Sequence, residues 1–105
     1  MRAPSQDLLP PVHPGEILLE EYLRPLRLSQ NALAKALGVP ANRIGALVHG
    51  HRGITADSAL RLARYFRTAP EFWMNLQTRY DLERARDAVD VSNILPRPGV
   101  PQLMP

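Results

Sequence analysis

Cysteine is absent from the 105 residues, so neither disulfides nor thiolate metal sites can support this chain. That fits a reducing cytoplasm, the expected location. Long apolar runs are missing too. Ile17-Leu18-Leu19 is typical, far below the roughly 20 residues that a membrane span needs. The Met-Arg-Ala-Pro start is followed by no apolar stretch of the secretory type. A nucleophile–base set is lacking, and His13, His49 and His51 have no obvious carboxylate partner, which argues against an enzyme. His49-x-His51 has no further ligands at zinc-site spacing, so neither a metal nor a cofactor is expected. Acidic residues are nearly missing from the middle of the chain. Between residues 27 and 67, Asp57 stands alone against Arg27, Lys35, Arg43, Arg52, Arg61, Arg64 and Arg67, a net charge of +6. Residues 1–26 carry −2 and residues 68–105 carry −1. Positive charge clustered in this way is the electrostatic footprint of phosphate binding.

Proline, by contrast, is abundant and unevenly spread. Pro4, Pro10, Pro11 and Pro14 crowd the start, and Pro96, Pro98, Pro101 and Pro105 crowd the end. Proline at that density discourages regular structure. The expected organisation is therefore a flexible segment over 1–12, a folded domain over 13–88 and a proline-rich tail over 89–105. A domain this small buries only about 60–65% of its unfolded surface, so dimerisation would be a natural support.

Helical periodicity dominates the folded part, and the predicted fold is all-α with five helices. The first spans about Pro14 to Pro25, with Ile17, Leu18 and Tyr22 facing inward and Leu26 extending the contact. The fourth is capped by Thr55 and carries Ala59, Leu60, Leu62, Ala63 and Phe66. Thr68-Ala69-Pro70-Glu71 fits a capping box at the start of the fifth, whose apolar face holds Phe72, Trp73, Leu76, Tyr80 and Ala85. Val89 to Leu95 carries a weak strand signal.

The segment SQNALAKALGVPANRIGALVHG, residues 29–50, contains the second and third helices. Ser29 is placed to cap the first of these. Leu33, Ala34 and Leu37 recur at helical spacing, and Gly38 suits the left-handed residue that ends the helix. Pro40 fits the first turn of the next helix. There Ile44, Leu47 and Val48 form the apolar stripe, leaving Ala41, Asn42, Arg43, Gly45, Ala46 and His49 outward. Two short helices joined by so tight a turn make a helix-turn-helix, which points to DNA.

With these residues in view, the chain resembles the HigA-type antitoxins of bacterial toxin–antitoxin systems, within the Xre group of helix-turn-helix regulators. The resemblance covers about residues 12–87. It rests on HPGEILLEEYL, LSQNALAKALGVPANRI, GHRGITADSALRLARYF and TAPEFWMNLQTRYDL. Four positions depart from the family pattern. Arg27 and Arg67 replace small turn residues, Gly45 replaces a serine, and His51 replaces a lysine or arginine.

In such a motif the second helix enters the major groove and its first side chains meet base edges. Asn42 suits adenine, Arg43 suits guanine, and Ala46 can touch a thymine methyl. Gln30 resembles the family's phosphate-fixing position, beside the free amides of its helix. His49, His51, Arg52 and Thr55 are candidate phosphate contacts, and Ser29 and Ala41 complete the expected DNA-binding set. The resemblance implies operator DNA as one partner and a HigB/RelE-like mRNA endonuclease toxin as another, with repression of the protein's own operon. Glu16, Glu20 and Glu21 are candidates for meeting a basic toxin. A homodimer is expected, with Phe72, Trp73 and Leu76 as candidate contacts. A stand-alone Xre-type repressor without a toxin is the alternative.

Overall fold

A computed structural model describes residues 10–101 of the chain. The described residues form five helices and no strand. Helix α1 opens as an α-helix over Pro14–Ile17, widens into a π-helical stretch over Leu18–Leu23, and closes over Arg24–Leu26. His13 caps it: the backbone is extended there, and the ring Nδ1 accepts the Gly15 N–H at 2.9 Å. Pro14 occupies the first helical position, where its missing N–H costs nothing. The wide turns lie just before Pro25, which cannot donate to the preceding turn and whose ring crowds the carbonyl four residues back.

Helix α2 spans Gln30–Leu37, α3 spans Ala41–Val48, α4 spans Ala56–Phe66 and α5 spans Pro70–Ala88. Ser29 caps α2 by accepting the Ala32 N–H at 3.0 Å, and Thr55 caps α4 by accepting the Ser58 N–H at 3.2 Å. Pro40 sits one residue earlier than expected, as the extended N-cap of α3. Three helices end on a left-handed residue. Gly38 does so at φ 71°, but Arg27 (φ 53°) and Arg67 (φ 58°) adopt this conformation without glycine's freedom. At each of these ends an amide reaches back five residues: Leu28 to Leu23, Val39 to Ala34, and Thr68 to Ala63.

The core lies where α1, the helix pair α2–α3, and the N-terminal part of α5 meet over α4. Leu18, Leu33, Leu62 and Trp73 are fully buried, joined by Leu23, Ile44, Leu47 and Ile54. Trp73 packs its ring 5.2 Å from Tyr22 and 5.0 Å, edge-on, from Phe72. Gly15 makes the closest backbone approach: a Cβ there would stand 1.8 Å from the Leu47 carbonyl oxygen at the end of α3. That approach explains the glycine of the HPGE segment.

Several expectations are corrected here. The capping box does not form, because Thr68 Oγ1 accepts the indole N–H of Trp73 at 2.9 Å and Ala69, with no side-chain bond, is the N-cap of α5. Val89 to Leu95 forms no strand: a turn at Ser92–Asn93 is closed by the Ile94 N–H donating to the Val91 carbonyl at 3.0 Å, and no strand lies among the described residues to complete a ladder. Leu26, Leu60 and Ala85 face solvent. Trp73 is 0% exposed and belongs to the monomer core, so it cannot serve as a dimer contact; Phe72 is half-exposed and Leu76 partly buried. Of the segments expected to be flexible, residues 1–9 and 102–105 lie outside the described residues.

Candidate nucleic-acid interface

Helices α2 and α3 form the helix-turn-helix, and α1 and α4 hold it from both sides. The first turn of α3 presents Ala41 and Asn42 to solvent, while Ile44 and Leu47 one turn on are buried. Ala46 is partly exposed on the same helix. Past the end of α3, His49, His51 and Arg52 are exposed on the loop that leads to Thr55. His49 Nδ1 bonds the Gly45 carbonyl at 2.7 Å; a carbonyl only accepts, so the proton sits on Nδ1. The rings of His49 and His51 stack with their centroids 6.2 Å apart.

Gln30 leans across the motif. Its Oε1 stands 3.4 Å from where a Cβ on Gly45 would be, so the side chain packs against α3. The hydroxyls of Ser29 and Thr55 are both engaged in capping.

Arg43 departs most from expectation. It was expected to face outward, but its side chain is only 18% exposed and turns toward α4. Its Nη2 donates to Asp57 Oδ1 at 2.5 Å and to the Ser58 hydroxyl at 2.8 Å. Asp57 also accepts from Arg61 Nε at 2.8 Å, while Arg61 Nη1 donates to the Leu37 carbonyl at 2.7 Å. One carboxylate thus links the end of α2, the start of α3 and the first turns of α4. Hydrogen bonds from Arg61, and then from Arg43, hold the Asp57 carboxyl below its ordinary range. Arg43 is drawn inward because the single acid of the basic segment lies there, beside a serine hydroxyl that is itself buried.

Sequence reading missed this network, although Asp57 and Arg61 stand four residues apart on α4, the spacing that brings helical side chains together. It also missed Gln77 of α5, whose Oε1 accepts the Ile54 N–H at 2.6 Å and whose Nε2 donates to Asp81 at 2.9 Å. That clamp fixes the loop after α3, and nothing in the local sequence marks it.

The fold has clear relatives. Residues 19–73 match the helix-turn-helix family. Virulence-associated protein I of Dichelobacter nodosus is 54% identical over 89 residues, 84% of this chain and 82% of that protein. Antitoxin HigA-1 of Vibrio cholerae is 40% identical over 77 residues, 73% of this chain and 72% of that protein. The solved structure of the Pseudomonas aeruginosa antitoxin HigA with the higBA promoter superposes with a TM-score of 0.73 at 51% identity, covering 74% of this chain and 85% of that one. This is not an enzyme class, and no helix among the described residues is long and apolar enough to cross a membrane. The chain belongs to the Xre-type helix-turn-helix family, in its HigA-type antitoxin branch.

Proposed function

We propose that this protein is an antitoxin and repressor: it binds operator DNA through α3 and neutralises a HigB/RelE-like mRNA endonuclease encoded beside it. The observation that carries the DNA half is the solvent-facing first turn of α3, with Asn42 at its outer edge, inside the +6 segment. A protein of the same branch, the P. aeruginosa HigA, was solved with its promoter. Asn42 reads adenine, with Ala41 and Ala46 packing beside it. Gln30, Ser29 and Thr55 lie along the phosphates with the exposed His49, His51 and Arg52. Two copies present two α3 helices about 34–36 Å apart to a palindromic site. Phe72 is the exposed member of the expected dimer contact, and Leu76 supports it.

The toxin half rests on the family and on surface charge. Glu16, Glu20 and Glu21 are exposed on α1, and only Glu20 makes an ion pair, to Arg24 at 3.3 Å, among the described contacts of these three. An acidic ridge of this kind complements a basic RNA-cutting protein. Fluorescence anisotropy on the DNA upstream of the reading frame, against a scrambled duplex, tests the first half. Asn42→Ala is expected to reduce the preference for the promoter duplex, and Arg52→Ala to weaken both duplexes alike. Co-expression with the adjacent small reading frame, followed by pull-down, tests the second half; absence of capture leaves a stand-alone repressor.

A further inference from the structure

Of the seven basic residues between 27 and 67, Arg43 is the one that the helix-turn-helix geometry carries to the first turn of α3, yet its guanidinium points away from solvent. It makes two hydrogen bonds, to Asp57 Oδ1 and to the Ser58 hydroxyl. Ser58 is 8% exposed and is held in place by the hydrogen bond that its backbone N–H donates to Thr55 Oγ1. Asp57 is anchored in turn by Arg61, which is fastened to the Leu37 carbonyl. To reach a base or phosphate, Arg43 would have to break a charge-assisted pair and leave a half-buried place. It would gain on DNA only bonds of the same kind. Its charge is also locally cancelled: Arg43, Arg61 and Asp57 together contribute one net positive charge.

We infer that Asp57 is a specificity-setting positioning residue: by latching Arg43 against α4 it withholds that arginine from DNA and leaves base reading to Asn42 and Ala46. This rests on the DNA reading above and deepens it. An unlatched arginine at the head of α3 would reach the backbone of any duplex, since phosphates attract it irrespective of sequence. The carboxylate therefore raises discrimination by removing an indiscriminate contact.

The test is fluorescence anisotropy of the full chain on its promoter duplex and on a scrambled duplex, over about 50 to 200 mM salt. Arg43→Gln is expected to leave the slope of log K against log salt, and every base-pair preference, as in the wild type. Asp57→Asn is expected to bind the scrambled duplex more tightly and to steepen that slope by about 0.9, the increment for one more engaged phosphate. Adding Arg43→Gln to Asp57→Asn is expected to restore the wild-type slope. A slope flattened by about 0.9 in Arg43→Gln alone, or a relaxed preference at one base pair, would show that Arg43 leaves the latch on DNA and would overturn the inference. So would an Asp57→Asn protein that is folded by circular dichroism and keeps the wild-type slope. If Asp57→Asn does not fold, Arg43→Gln decides alone. A wild-type chain that binds neither duplex overturns the DNA reading itself.

Discussion

Two backbone positions show how single residues carry the fold. Gly15 lets the start of α1 rest on the end of α3, and any Cβ there would overlap the Leu47 carbonyl oxygen at 1.8 Å. The listener to such a clash is backbone, which cannot rotate away as a side chain can. Gly15→Ala is therefore expected to destabilise by about 1–3 kcal/mol, read as a fall of roughly 4–8 °C in Tm for each kcal/mol. Arg67 presents the opposite case. It holds φ 58° at the end of α4, a conformation that strains an L-residue. Arg67→Gly is expected to raise stability by about 0.5–1 kcal/mol, less whatever glycine loses through unfolded-chain entropy. A lower Tm for this variant would mean that the arginine side chain stabilises the helix end by more than the strain costs. Arg27 and Arg67, which stand where the resembled family has small turn residues, are both left-handed.

At the scale of elements, helix starts depend on which polar group is left over once the core has formed. Thr55 and Ser29 cap α4 and α2 as their sequences predict, and the Thr55 hydroxyl, besides accepting the Ser58 N–H, donates to the Ser58 hydroxyl at 3.3 Å. Thr68 has a competitor. The buried Trp73 indole needs an acceptor, and leaving such a donor unpaired costs about 1–3 kcal/mol, more than a surface capping bond returns. Thr68→Val is thus expected to cost about 1–3 kcal/mol, whereas Glu71→Gln should stay within about 0.5 kcal/mol, the range of ordinary surface changes. Chemical denaturation of the two variants checks the pair; equal losses would restore the capping box. In α3, Gly45 sits mid-helix with Gln30 at ordinary contact distance from a Cβ. Gly45→Ala is accordingly expected to stabilise by about 0.5–1 kcal/mol, as the flexibility of an internal glycine is removed.

For the whole molecule, His13 is the point where α1, the loop after α3 and α5 converge. Its ring packs edge-on against Tyr80 at 4.8 Å and caps α1 through an unprotonated Nδ1. Burial lowers its pKa and Arg84 adds to the lowering, while Asp81 and a hydrogen bond with the Arg52 backbone pull the other way. The folded state thus favours the neutral ring more than the unfolded chain does. Stability is full above the ordinary histidine value and declines as pH falls through it toward the lower folded value, because the unfolded chain takes up the proton first. Thermal unfolding between about pH 7.5 and 5 should show this decline. His13→Asn keeps a capping acceptor and should flatten the curve in that window. An unchanged slope in His13→Asn would assign the acid sensitivity elsewhere. Asp57 contributes at lower pH, since its depressed carboxyl must be protonated before that link weakens.

The sequence by itself determined the five helices, the caps at Ser29, Gly38 and Thr55, and the position of the helix-turn-helix. Those features depend on local spacing: Leu33, Ala34 and Leu37 share a face through helical periodicity alone, and Gly38 ends the helix through its own backbone freedom. The basic segment was legible in the same way, as a count along the chain. What only the tertiary structure decided was where competing side chains go when two partners are available. Arg43 faced outward on a helical wheel, but packing α4 beside α3 brought Asp57 and Ser58 within reach of it. Trp73 stood on the apolar face of α5 as a candidate dimer contact, but Tyr22 and Phe66 close around it within the monomer. Both outcomes follow from contacts between residues far apart in sequence, whose energies no local pattern contains.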